Sequence, residues 1–192
     1  MFPEQTRALE FLDRKGSQAT TETLRAQLRH AFTTMEDAFA RVEPHERELS
    51  PGSGKWSAIE ILDHLAASHG PAVPQLRSLL AGSSPGGVAI PADLQTPREQ
   101  RGSWEQRLAD LQAIHRELLA LVDQAHDDLS LEATAVVEMV VKVPAENGEA
   151  RPVHWHESLD WKAFVQVLRG HTLQHRAQLD RALEAVRGGD AV

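Results

Sequence analysis

Residues 169–181 read RGHTLQHRAQLDR, and the two histidines four positions apart are the first groups in this chain that could do chemistry. On a helix, His171 and His175 rise from one face, offset by ~40° around the axis and ~6 Å along it. Two imidazoles so placed can share one metal ion through their neutral nitrogens. The pair also interrupts an apolar stripe of Phe164, Leu168, Leu179, Ala182 and Val186, spaced at steps of three and four, so both rings point inward. A buried imidazole loses its hydration and needs a hydrogen bond or a metal in exchange. The HExxH pattern of zincins is absent, because Thr172 follows His171 and Gln174 precedes His175. The Glu-x-x-His pattern of carboxylate-bridged di-iron bundles is also missing from this helix. The pattern favours a mononuclear site that takes one more donor from a facing helix.

Ten histidines in 192 residues leave several candidates for that donor. His64, in EILDHLAASHG, borders Leu65 and follows Ile61 by three, which places it near a core-facing side. His69 lies five residues on and roughly 140° around the same helix, too far round for both to reach one metal. His115 also falls on an apolar stripe and competes with His64, although a core histidine hydrogen-bonded to a neighbour is its simpler reading. His154 and His156 share one face of a strand. They read as exposed hairpin residues, with the mouth of a pocket as the alternative. His30, His45 and His126 read as surface residues.

These side chains need helices to carry them. A short leading helix is expected over residues 4–14. The first long helix is TETLRAQLRHAFTTMEDAFARV, where Leu24, Leu28, Phe32, Met35, Phe39 and Val42 form one stripe. Ser57 and Glu60 have capping-box spacing and open the next helix. Pro71 and Pro74 are expected to kink, break or restart that helix before Leu76. A Gly/Pro-rich loop follows over 82–95. The third helix spans about Ser103 to Ala125, with Trp104, Leu108, Leu111, His115, Leu118 and Val122 on its stripe. The β-branched run TAVVEMVVKV at 134–143, a turn at Asn147–Gly148 and the returning ARPVHWH predict a β-hairpin or extended excursion over 130–157. The last helix runs from about Ser158 to Val186. Four long helices and a small insertion before the last predict an all-α four-helix bundle forming one domain over 1–192, with residues 1–19 as an N-terminal extension.

Composition narrows the function. Cysteine is absent, which removes disulfides, thiolate metal sites and cysteine nucleophiles. A formal charge of −8, with 20 scattered basic residues, disfavours binding to nucleic acid. No run approaches the ~20 apolar residues of a membrane span, and the charged first 16 residues lack a signal-like apolar core. A cytoplasmic location is the expectation.

KWSAIEILDHLAASH at 55–69 resembles the second-helix signature of the DinB-like (DinB/YfiT-like) superfamily. There a Trp-Ser pair precedes an acidic residue, apolar residues and a histidine. HTLQHRAQLDRAL at 171–183 is similar to that superfamily's last helix, and the excursion just upstream also fits. The resemblance runs from about residue 20 to 186. It implies a four-helix bundle with a three-histidine site for one divalent metal ion, often nickel, zinc or iron, and the matching positions are His64, His171 and His175. It also implies thiol-dependent activity of the kind seen in bacillithiol S-transferases and mycothiol-dependent maleylpyruvate isomerase.

Three imidazoles leave coordination positions open for catalysis. With no cysteine in the chain, a thiol would have to arrive as a low-molecular-weight cosubstrate. The expected function is therefore metal-dependent transfer of such a thiol to an electrophilic small molecule. Metal-dependent hydrolysis, a non-catalytic metal- or ligand-binding stress-response protein, and a purely structural role for the histidines are the alternatives. Asp63, Glu60, Glu138 and Glu157 are candidate partners for the histidine N–H groups, with solvated surface positions as the simpler reading of all four. Trp56, Trp104, Trp155 and Trp161 read as core or pocket-wall residues, and Trp155 and Trp161 could shape an entrance. Bundles commonly pair through helix faces, so a homodimer is a further expectation.

Overall fold

The computed structural model describes residues 2–144 and 150–189. The turn expected at Asn147–Gly148 lies outside the described residues. Among the described residues, five α-helices and one antiparallel hairpin follow in the order α1 (Pro3–Leu12), α2 (Thr21–Ala40), α3 (Ala58–Leu80), α4 (Trp104–Asp123), β1 (Ala135–Pro144), β2 (Ala150–Leu159) and α5 (Trp161–Gly188). Helices α2 to α5 make the four-helix bundle that the stripes predict. Contacts run from α2 to α5, α5 to α3, α3 to α4 and α4 back to α2, which sets their cyclic order.

Local chemistry starts each long helix. Thr20 and Ser103 accept from the backbone N–H groups of Thr23 and Gln106 at the heads of α2 and α4. Ser57 and Glu60 form the expected capping box, with the Ser57 N–H donating to Glu60 Oε2 at 2.8 Å. Asp160 caps α5 by accepting from Lys162 and Ala163. That cap comes two residues later than the sequence suggests because β2 continues to Leu159.

Helix α3 corrects one expectation. It is a single helix through Pro71 and Pro74, with no break or restart. Each proline removes one backbone donor and crowds the preceding turn, at about 3 kcal/mol or more in an unsupported helix. Here Ala72, Val73, Leu76 and Leu79 on the same stretch are buried in the core, and that burial offsets the loss.

The core has two apolar halves. One gathers Leu24, Leu28, Phe32, Leu76, Leu118, Trp161, Phe164 and Leu168. The other gathers Met35, Phe39, Ile61, Leu62, Leu65, Leu111 and Leu179. Every bundle helix carries a polar residue where it passes between them: Glu36 on α2, His64 and His69 on α3, His115 on α4, and His171 and His175 on α5. One polar layer therefore crosses the bundle at a common level.

The hairpin pairs Ala135 with Leu159 at its base and Pro144 with Ala150 at its far end. Leu12 at the end of α1 packs with Leu159 and Ala163. A π-type turn at Asp13–Ser17 then brings Gly16 onto α5, where a Cβ would lie only 2.7 Å from the Ala163 Cα. Only glycine permits that approach. Helix α1 and β1 thereby come to rest beside the polar layer.

Candidate metal centre

His64, His171 and His175 each present a ring nitrogen, and these atoms lie within 4.8 Å of one another. His171 Nε2 is 2.9 Å from His64 Nε2 and 3.1 Å from His175 Nε2. The opposite nitrogen of each ring has its own partner. His64 Nδ1 lies 2.7 Å from the Leu94 carbonyl oxygen, which can only accept, so Nδ1 carries the proton. His175 Nδ1 donates to Gln178 Oε1 at 2.8 Å. His171 Nδ1 lies 3.1 Å from His69 Nε2. With Nδ1 protonated, neutral rings turn bare Nε2 lone pairs toward one another at hydrogen-bond distance. A cation at their meeting point would satisfy all three, so this donor set fits a divalent metal.

The loop ahead of α4 is what holds His64. Asp63, its neighbour on α3, is fully buried, accepts from the Thr96 N–H at 2.7 Å and lies 3.1 Å from Arg107 Nε. Arg101 Nε approaches Asp63 at 3.7 Å. Asp63 is thus no solvated surface residue. It anchors the segment that carries Leu94, and so acts on His64 through the loop. Glu138 grips the same loop at the Ala92 N–H, 2.7 Å away, and accepts from His154 Nδ1 at 2.8 Å. Glu60 is spent on the α3 cap, and Glu157 takes a 3.3 Å bond from Trp155 Nε1. No described carboxylate bonds directly to His64, His171 or His175.

His69 is the residue that sequence reasoning set aside. It does point away from His64, as the 140° separation requires, but that direction places it against the back of His171. Its Nδ1 lies 3.1 Å from His115 Nε2, and His115 Nδ1 lies 2.6 Å from Glu36 Oε1. His115 is buried, and the Phe32 ring stacks on it at 3.7 Å, within 2° of parallel. The four groups form one file across the bundle, from His171 on α5 through α3 and α4 to Glu36 on α2. Of its members, the sequence marked His115 and His171, each as a polar residue on an apolar stripe.

Trp56 closes the other side, tilted against His64 at 4.9 Å and nearly parallel to His175 at 5.9 Å. A cavity of about 540 Å³ opens over His171 and His175. Its wall includes Phe11 from α1, Val136 and Val140 from β1, and Phe164 from α5. His154 lines it from β2 although it is exposed, whereas His156 is exposed and stands apart from it. Gln166, also on the wall and 1 % exposed, has no partner among the described residues for either amide atom. Trp161 is a core residue rather than part of an entrance.

Burial dominates the titration of this layer. It holds His69 and His171 well below the ordinary imidazole range, and lowers His64 and His115 despite the opposing pull of Leu94 and Glu36. Burial, then the adjacent His64 ring, lowers His175 to about 4. All five rings are therefore neutral near pH 7, the form that binds metal. In the unfolded chain the same rings titrate near pH 6.5, so between about 6.5 and 4 the unfolded state binds more protons. Stability of chelator-treated protein should be full above pH 6.5 and fall as the pH drops toward 4. Urea midpoints measured from pH 7.5 to 5 are expected to decline through that window. A flat profile would contradict the neutral, buried layer.

The DinB superfamily model matches residues 20–179, which include all four bundle helices except the last turns of α5. The chain belongs to the DinB superfamily. Among solved structures it is similar to YfiT from Bacillus subtilis, described as a probable metal-dependent hydrolase with an unusual four-helix bundle topology. Identity is 15 %, the match covers 88 % of this chain and 87 % of that one, and the TM-score is 0.61. A second match, the mycothiol-dependent maleylpyruvate isomerase, has 13 % identity, covers 84 % of this chain and 61 % of that one, and has a TM-score of 0.48. No curated protein matches by sequence. The four-helix bundle of the DinB superfamily thus carries the histidine layer described above. No described helix is long and apolar enough to cross a membrane.

Proposed function

We propose that this DinB-superfamily chain is a divalent-metal-dependent enzyme that transfers a low-molecular-weight thiol to an electrophilic small molecule. His64, His171 and His175 are the ligands of one nickel, zinc or iron ion in this reading. The observation that carries it is the convergence of three Nε2 lone pairs whose opposite nitrogens already have partners. A divalent ion held there supplies Lewis acidity, lowering the pKa of a thiol or a water enough to generate a nucleophile near neutral pH.

The chain's own residues support a thiol. No cysteine is present, so the sulfur must enter as a cosubstrate of the bacillithiol or mycothiol type. No described carboxylate stands free beside the histidines as a general base, and a thiol ionises far more readily than water. The sulfur forms the new bond to the electrophilic carbon, its proton passes to solvent, and the leaving group departs with the electron pair. Phe11, Val136, Val140 and Phe164 exclude water around an apolar acceptor, while the unpartnered Gln166 amide can bind one polar group on it. Because α1 and the hairpin both supply cavity wall, we treat the chain as a single functional domain. A cytoplasmic setting, rich in reduced thiols, suits this chemistry.

One observation favours hydrolysis as a second reading. The Glu138–His154 pair lines the same cavity and could relay a proton from water. A panel of low-molecular-weight thiols with an electrophilic acceptor such as monochlorobimane separates the readings. Turnover that needs both thiol and metal is expected. Thiol-independent turnover of ester or amide substrates, lost in His154→Ala, would establish hydrolysis instead. Stoichiometric metal without turnover in either assay would mark a non-catalytic binding protein.

A further inference from the structure

The buried file behind His171 does more than fill the core. We infer that Glu36, on the far side of the bundle, is a positioning residue that sets the ligating tautomer of His171 through His115 and His69. The inference rests on the metal-site reading above and adds a direction to it.

The direction follows from donor and acceptor types. A carboxylate oxygen accepts and does not donate, so the 2.6 Å contact with Glu36 Oε1 requires a proton on His115 Nδ1. A neutral His115 then has a bare Nε2. That nitrogen is 3.1 Å from His69 Nδ1, which must be the donor. His69 Nε2 is bare in turn and accepts from His171 Nδ1, also at 3.1 Å. His171 is left with a bare Nε2, aimed at His64 Nε2 and His175 Nε2.

The reversed file is the alternative. A proton on His171 Nε2 could bond to His64 Nε2, and each ring behind would flip its tautomer. It would end with the His115 Nδ1 lone pair facing the Glu36 carboxylate at 2.6 Å, which is repulsive. Glu36 therefore selects one of two otherwise self-consistent hydrogen-bond directions. The selected one leaves His171 ready to bind a metal.

Position supports this role. His69 and His115 are each 1 % exposed, so water cannot readily substitute for a missing partner in the file. The Phe32 ring, stacked on His115, holds that imidazole in the plane that meets both neighbours. Glu36 is a quarter exposed and pairs with nothing else among the described residues, so His115 is what its carboxylate serves. Metal-binding imidazoles commonly donate their other N–H to a carboxylate. Here two further imidazoles carry that connection across the bundle.

Glu36→Gln is the discriminating variant, because an amide keeps the size and can either accept or donate. A packing role predicts that Glu36→Gln behaves as wild type. A direction-setting role predicts weaker binding, since the amide no longer opposes the reversed file. Zinc alone, titrated into chelated protein against a competing indicator, should bind about tenfold more weakly to Glu36→Gln and Glu36→Leu, at the low end for loss of an outer partner. His115→Phe should show a similar loss, and Glu36→Gln added to it should cost nothing more. Two-bond 1H–15N spectra of zinc-loaded wild type should show Nδ1-protonated tautomers at His69 and His115. An Nε2-protonated tautomer at either residue, or wild-type affinity in Glu36→Gln, would overturn the inference and leave the metal site standing. A wild-type protein that binds no zinc, nickel or iron would overturn both.

Discussion

His171→Ala should leave the purified, untagged protein with essentially no bound metal where wild type carries about one ion per chain. His171 sits at the junction of the site. Its Nε2 lies within 3.1 Å of both other Nε2 atoms, and its Nδ1 closes the file to His69. Removing it leaves two donors on different helices, and no other described residue joins them in a metal-binding group. The loss in affinity should exceed the ~100-fold that removal of an outer partner can cost. The stability of the chelated variant should not collapse with it, because a set of mutually facing lone pairs has been relieved beside an existing cavity. A ligand held at 100 times its Kd adds about 2.7 kcal/mol to the folded state, so wild type should gain thermal stability on adding metal while the variant gains none. Elemental analysis and melting curves with and without metal check both statements. Equal metal content in the two proteins would sink the site.

Asp63→Ala is expected to destabilise the fold by about 3 kcal/mol, the lower end for breaking a buried pair by removing one partner. Asp63 is fully buried, and its two guanidinium partners are only 10 % and 18 % exposed at their side chains. Without the carboxylate, Arg101 loses its ion-pair partner and Arg107 keeps only the half-exposed Asp110 at 3.9 Å. The Thr96 N–H loses its acceptor, and the segment that carries Leu94 loses its anchor on α3. Leu94 holds the Nδ1 proton of His64, so metal affinity should also fall, by roughly tenfold. Asp63→Asn, which keeps an acceptor for Thr96 but no charge, should fall between. Urea unfolding at neutral pH gives the first quantity and a zinc titration the second. A change in stability below about 1 kcal/mol would mean that the two arginines are solvated well enough to need no partner.

These two residues also show how unequally the site was legible. His171 and His175 declared themselves by interrupting an apolar stripe, and helical geometry alone turned that into a shared face. Asp63 gave no such sign. It precedes a histidine on an ordinary amphipathic pattern, and one residue of helical rotation separates a solvated carboxylate from a buried one. Its partners lie 38 and 44 positions away, beyond an irregular loop, where no periodicity constrains the chain. The continuity of α3 through Pro71 and Pro74 was hidden for a related reason. Propensity penalises both prolines locally, while the packing that outweighs them comes from other helices.

His69 illustrates the boundary most clearly. Its angle from His64 was readable from residue number, and the two rings do face different neighbours. What stands at that angle was not readable, because it depends on the cyclic order of the helices.

The sequence by itself determined the bundle, the hairpin before the last helix and the inward direction of His171 and His175, since period and capping are properties of one segment at a time. The family resemblance named His64 as their partner, and the tertiary structure brings its ring to theirs. Only the tertiary structure decided that His69, His115 and Glu36 line up behind them and that the loop at Leu94 orients the first ring. Those relations join different helices at one level of the bundle. Such levels are set by how side chains from separate elements pack, and a linear pattern does not encode them.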